Sequence, residues 1–167
     1  MKLLRAFLVA LAALAVLTSA AAARVDVRFV QPERFVGEDF RNTYSRERLV
    51  AEFDRFLKAE GARHVRAGQT LRIEVLDIDL AGRNQPFASR LGDIRVMREM
   101  TPPSVRLRYV LEERGRVVAR GEETLLDWNY LSNVRARNSS EWLPYEKAML
   151  RDWFRRRFGD SQTAARG

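Results

Sequence analysis

Hydrophobic and polar positions along the chain fall into blocks of different period. Val25, Val27 and Phe29 alternate with Asp26 and Arg28, the period of a half-buried strand. Pro32 ends that run. A polar stretch, QPERFVGEDFRNTY (31–44), follows and carries Phe35, Phe40 and Tyr44, which are expected to fold back onto the domain. From Ser45 the period lengthens. Leu49, Phe53, Phe56 and Leu57 lie at helical spacing, and Arg46, Glu47, Glu52, Asp54, Arg55 and Lys58 fill the other face. Ser45 reads as the N-cap and Gly61 as the stop.

Thr70–Leu80 reads as a second strand with an irregularity in it. Leu71, Ile73 and Val75 share one face, after which the apolar set passes to Leu76, Ile78 and Leu80. Such a change of face implies either a bulge after Val75 or a strand whose two halves cover different neighbours. It also sets Asp77 and Asp79 side by side opposite the apolar residues. Residues 81–103 form a long connection of mixed character, with a short strand at Ile94–Met97, and a connection of that length is usually functional or mobile. Val105, Leu107, Tyr109 and Leu111 then alternate with Arg106 and Arg108. Glu113-Arg114-Gly115-Arg116 makes a hairpin turn, and Val117–Trp128 returns as the partner strand. In that strand Trp128 and Tyr130 take one face, Asp127 and Asn129 the other. After the polar loop SNVRARNSS, Pro144–Phe158 is amphipathic again, with Tyr145, Met149, Leu150, Trp153 and Phe154 as its stripe. Pro144 suits a first turn, and Arg155, Arg156 and Arg157 complement the dipole in the last.

The order is therefore β-α-β-β-β-α. It predicts an α+β domain over 24–158, an antiparallel or mixed sheet of about four strands with two amphipathic helices on one face, and a disordered tail at 159–167. Neither an internal repeat nor a second domain is visible.

The first residues add a compartment. Lys2 and Arg5 precede an apolar run from Ala6 to Leu17, and small residues follow to Ala23. Basic start, apolar middle and small residues at −3 and −1 are the order of a cleaved secretory signal, here 1–23, with Ala22 as the alternative cleavage position. The run is shorter than the roughly 20 residues a spanning helix needs. The expectation is a periplasmic protein with no membrane span in its mature chain. The chain has no cysteine, which excludes disulfides, thiolate zinc sites, cysteine nucleophiles and a lipidated N-terminus.

Charge changes the picture less than its size suggests. The formal +8 falls to +6 once Lys2 and Arg5 leave, and 27 of the 30 basic residues are arginine. Acidic residues are interspersed throughout, so most of the arginines read as a solvated, ion-paired surface. A nucleic-acid partner is not expected, because no basic stripe carries interleaved aromatics. An envelope protein or an anionic cell-envelope component remains in view as partner.

Candidate chemistry centres on two clusters. Asp77, Asp79 and Gly82 match three positions of a calcium loop, but Ala81 and Ala88 stand where two oxygen ligands belong, so no metal site is assigned. The aspartates are expected to pair with arginines, Arg83 or the Arg106/Arg108 pair. The second cluster, Asp127, Trp128, Asn129 and Tyr130, combines polar tips with large aromatics, which suits a binding surface as well as a core. Binding candidates are thus Asp77, Asp79, Arg83, Asp127, Trp128, Asn129 and Tyr130. No catalytic residue can be named: His64 is the only histidine, it lies in a polar segment, and no Gly-x-Ser-x-Gly elbow is present. No cofactor is implied. The leading reading is a binding or adaptor module. The alternative is a metal-assisted hydrolase using Asp77, Asp79 and Asp127.

The segments LDIDLAGR (76–83), IRVMRE (94–99), PPSVRLRYVL (102–111), GEETLLDWNYL (121–131) and YEKAMLRDWFRRRF (145–158) resemble, in order and spacing, a family of small exported Gram-negative bacterial proteins known as domain of unknown function 3016. The resemblance covers nearly all of the mature chain. It implies a one-domain exported protein and brings no activity, cofactor or catalytic residue with it.

Overall fold

The computed structural model describes residues 22–89 and 92–159. The signal segment and the tail expected from the sequence lie outside these residues, apart from Ala22, Ala23 and Gly159. Among the described residues, six strands and three helices follow in chain order: β1 (Arg24–Phe29), α1 (Thr43–Gly61), β2 (Gln69–Asp79), β3 (Arg83–Ser89), β4 (Gly92–Val96), β5 (Ser104–Glu113), β6 (Arg116–Leu126), α2 (Val134–Arg137) and α3 (Pro144–Phe158). Four strands form a mixed sheet in the order β1-β2-β5-β6, with β1 parallel to β2 and the other pairs antiparallel. A parallel pair needs a crossover, and α1 supplies it. β3 and β4 form a separate two-stranded hairpin.

Period-two alternation gives the sheet one apolar face. Leu71, Ile73, Val75, Ile78, Val105, Leu107, Tyr109, Leu111 and Leu125 point inward, each less than a tenth exposed. Leu49, Phe53, Phe56 and Leu57 of α1 and Met149, Leu150, Trp153, Phe154 and Phe158 of α3 cover that same face in one continuous core. Trp153 is its largest member. It meets Tyr109, Phe154 and Phe158 edge-on, and its indole N–H donates to Glu123 at 3.1 Å. The opposite face carries charge. Arg108 bridges Glu74 and Glu122, each at 2.9 Å, and Arg72 pairs with Glu112. Exposed pairs of this kind contribute about 0–1 kcal/mol each, so they order the open face more than they stabilise it.

Of the two explanations for the change of face after Val75, a bulge is the one present. Val75 faces Leu107 and Asp77 faces Arg106, which leaves Leu76 as the extra residue. The β5–β6 turn also forms as read, with Arg114 and Gly115 both at positive φ, as a two-residue primed turn requires. Four local expectations need correction. Asn42 rather than Ser45 caps α1, its side chain accepting from Ser45 N–H at 3.1 Å, so the helix begins at Thr43. Phe35 and Phe40 fold into the core, but Tyr44 stays 69% exposed. The 81–103 connection is largely the β3–β4 hairpin, and SNVRARNSS holds the single turn α2. Finally, β6 ends at Leu126, so residues 127–130 are not strand and Trp128 and Tyr130 do not share a face: Tyr130 opens a 3-10 turn and is fully buried, whereas Trp128 is 67% exposed.

Candidate functional site

Bulge and strand end first account for the aspartates. Asp79 receives Arg83 in a two-pronged pair, at 3.1 and 2.7 Å, as the sequence suggested. Asp77 does otherwise. One of its carboxylate oxygens accepts from the backbone N–H groups of Val36 (2.9 Å) and Ile78 (3.0 Å), pinning the segment after β1 to the bulge. Arg106, its cross-strand neighbour, leans instead toward Glu122 at 3.9 Å. Asp79, Arg83 and Asp77 thus gather at the end of β2. Asp127, Trp128, Asn129 and Tyr130 lie at the same end of the sheet but two strands away: Asp79 pairs with Ser104, and Ser104 with Leu126. At about 4.8 Å per strand spacing, Asp79 and Asp127 stand roughly 10 Å apart. Asp127 accepts from Asn129 N–H at 3.0 Å in a local turn, and Tyr130 donates its hydroxyl to Arg98 C=O at 2.8 Å. No group of three or more histidine, aspartate or glutamate side chains among the described residues is placed to hold a metal.

A better-formed site lies behind Leu80 and Ala81, on the helix side. There the first turns of α1 and α3 meet the β2–β3 turn and β4 around a cavity of about 280 Å3. Its apolar wall comes from Leu49, Leu80, Ala81, Met97, Leu143 and Tyr145, and its polar groups are Asp39, Ser45, Arg48, Arg95, Glu141 and Glu146.

Four of these polar groups, Asp39, Arg95, Glu141 and Glu146, already have partners. Arg95, on β4, forks onto the Asp39 carboxylate and donates to the carbonyls of Ala81 (2.8 Å) and Gly82 (3.2 Å). That closes one wall and ties the hairpin to the main sheet. Gly82 is required beside it: φ is +73°, and a Cβ would lie 2.6 Å from Val96 C=O. Glu146, in the first turn of α3, is only 2% exposed and accepts from Ala81 N–H at 2.7 Å. Burial pushes its carboxyl above the usual range, against the opposing pull of that N–H. Glu141 pairs with Arg151 (2.7 Å), whose hydrogen bond holds it below the usual range, and the buried Lys147 pairs with Glu52 at 2.6 Å.

At the rim, Arg48 lies over two rings, 5.6 Å from the Tyr44 centroid and 5.2 Å from that of Trp142. No carboxylate among the described residues pairs with it. Trp142 is 43% exposed. Next to it, Leu143 holds φ +59°, ψ +52° before Pro144 and offers α3 no side-chain cap. A bulky residue in the left-handed region is strained, and such strain collects at functional sites. Among the described residues no hydrogen bond joins the Ser45 hydroxyl to a base, and His64 lies beyond the far end of α1, roughly 25 Å along its axis, bonded to Glu60 at 3.3 Å and stacked on Phe154. These groups can hold a ligand, and none of them forms a nucleophile–base pair.

The sequence did not single out Arg48, Arg95, Trp142, Leu143 or Glu146. Asp39 and Arg95 are far apart in the chain, and nothing local links them. A usable signal did exist for Glu146, a carboxylate in the first turn of a helix between Tyr145 and residues of the apolar stripe.

No curated protein and no solved structure matches the chain significantly. The family described as protein of unknown function DUF3016 matches residues 23–156, which includes the whole sheet, α1, all but the last two residues of α3 and every wall of the cavity. The chain belongs to the DUF3016 family.

Proposed function

We propose that the chain is exported, loses residues 1–23, and acts in the periplasm as a binding module that holds an envelope partner at the cavity between α1 and α3. One observation carries this reading: the cavity has an apolar wall, a strained Leu143 and a rim where Arg48 lies over the Trp142 ring and both stay accessible. Concave, mostly apolar spaces with a few convergent polar groups are the usual form of binding sites. Export is supported by the basic, apolar and small-residue order of 1–23. The Asp77/Asp79/Asp127 hydrolase alternative gains no such support, since each carboxylate is already engaged and Asp127 stands apart.

The test is affinity capture from chemically crosslinked envelopes, with the wild-type protein beside Arg48→Ala/Trp142→Ala. Both substitutions are at accessible positions, so a folded variant is expected, and circular dichroism checks it. A partner captured by the wild type and lost with the folded variant supports the reading. A partner retained by the variant moves the binding surface elsewhere. Mass spectrometry of the mature protein should find Arg24 as its first residue in the periplasmic fraction, and a full-length cytoplasmic protein contradicts export.

A further inference from the structure

Charge and size of the same cavity narrow what it takes. The inference rests on reading the cavity as a binding site. Arg48 is the starting point. The other cations around the space are committed: Arg95 to Asp39 and two carbonyls, Lys147 to Glu52, Arg151 to Glu141. Arg48 has ring faces for neighbours and no carboxylate partner among the described residues. Neither ring supplies a hydrogen-bonding anion, so the guanidinium keeps its N–H groups for the forked arrangement that suits a carboxylate.

The remainder of the lining agrees. Asp39 is neutralised by Arg95 and Glu141 by Arg151, and the buried Glu146 faces the cavity from a site that disfavours its charged form. The walls therefore repel an anion little. A single uncommitted guanidinium suits one negative charge better than a phosphate dianion, which generally draws several cations or a nest of N–H groups. Volume sets the other limit. About 280 Å3 lies just under the range of roughly 300–1,000 Å3 for sites of drug-sized ligands, so there is room for one large side chain or a short acyl group. Leu49, Leu80, Met97 and Leu143 make that room apolar.

We infer that the cavity receives a carboxylate carried on a short apolar group, the carboxylate on the Arg48 guanidinium at the rim and the apolar group between Leu49, Leu80, Met97 and Leu143. Two sources share this chemistry, a peptide chain ending in an apolar residue and a free monocarboxylic acid.

The experiment follows Trp142 fluorescence of the mature protein in a Trp128→Phe background, which leaves buried Trp153 as the only other indole. Probes are an N-acetylated hexapeptide ending in Leu with a free carboxylate, the same peptide amidated, the same peptide ending in Asp, and octanoate. Free-carboxylate Leu peptide or octanoate should saturate the signal. The amide should bind at least about tenfold more weakly, as expected for loss of a charge-assisted contact. Arg48→Gln should erase that acid-over-amide preference at unchanged Tm, and Arg48→Lys should restore part of it. Tighter binding of the peptide assigns a chain terminus, and tighter binding of octanoate assigns a free acid. Equal binding of acid and amide, or an undiminished preference in Arg48→Gln, overturns the carboxylate inference while leaving the cavity a binding site. Absence of saturation by any probe at millimolar concentration also overturns it. The envelope capture then decides the broader reading separately.

Discussion

Glu146 gives the sharpest test of the energetics at the cavity. Its carboxyl is 2% exposed and bonded at 2.7 Å to Ala81 N–H, and burial raises its folded-state pKa. The unfolded carboxyl titrates near about 4.3. Below that pH both states are protonated and the group is neutral in its effect. As pH rises from there through the raised folded pKa, the unfolded state gives up its proton first, so ionisation favours unfolding and stability falls. Above the folded pKa the loss is complete. Glu146→Gln keeps an acceptor for Ala81 N–H and removes the titration. It should match the wild type near pH 4 and exceed it at pH 8. Glu146→Ala should differ at both, because it leaves Ala81 N–H buried without a partner, at a cost of about 1–3 kcal/mol. For a domain of this size each kcal/mol moves Tm by about 3–4 °C, which gives a fall of roughly 3–12 °C. Differential scanning calorimetry across pH 4–8 measures all three proteins. The difference between wild type and Glu146→Gln removes the contribution of every other carboxylate, including Glu52 and Glu141, whose lowered pKa values act in the opposite direction. A Gln variant that loses stability relative to the wild type as pH rises refutes the reasoning.

Three further outcomes follow from the fold. Gly82→Ala should destabilise by about 1–3 kcal/mol, since φ +73° and a 2.6 Å approach to Val96 C=O both oppose a side chain; an unchanged urea midpoint contradicts it. Trp153→Ala should cost about 3–5 kcal/mol in urea unfolding, as expected for removal of a fully buried indole, and a loss below 1 kcal/mol contradicts that packing. Asp79→Asn should cost no more than about 1 kcal/mol because its pair with Arg83 is partly exposed, whereas Asp77→Ala removes an acceptor shared by two backbone N–H groups and should cost more. Thermal melts of the two variants check the order, and the reverse order contradicts the roles given to them.

The parts of the fold that sequence revealed are those governed by local periodicity. The change of face after Val75, the turn at Arg114-Gly115 and the limits of α3 each leave a mark within a few residues. β3 escaped because Arg83–Ser89 carries no alternation of apolar residues. Its pairing is set by β4 and by remote contacts such as Asn84 to Asp39. Trp128 was misplaced for a related reason: Asp127 turns the chain through its bond to Asn129 N–H, and period-two reading continued past that point. The cavity was less legible still. Its walls come from five separate segments, and its one conspicuous signal, an aromatic followed by Leu-Pro at 142–144, gains meaning only from the left-handed Leu143 and from Arg48 lying across the gap. By contrast, Asp77 and Asp79 drew notice as a pair of carboxylates and prove to be committed within the fold, one to backbone and one to Arg83.

Site-specific photocrosslinking in intact envelopes shows whether the cavity rim meets an envelope partner. A benzoylphenylalanine placed at position 142 reports on the cavity rim, and one at position 118, on exposed β6, serves as the control. Binding at the rim predicts a discrete adduct from position 142 and none from 118, with the 142 adduct lost on Arg48→Ala. Discrete adducts from 118 alone, or equal adducts from both positions, contradict it.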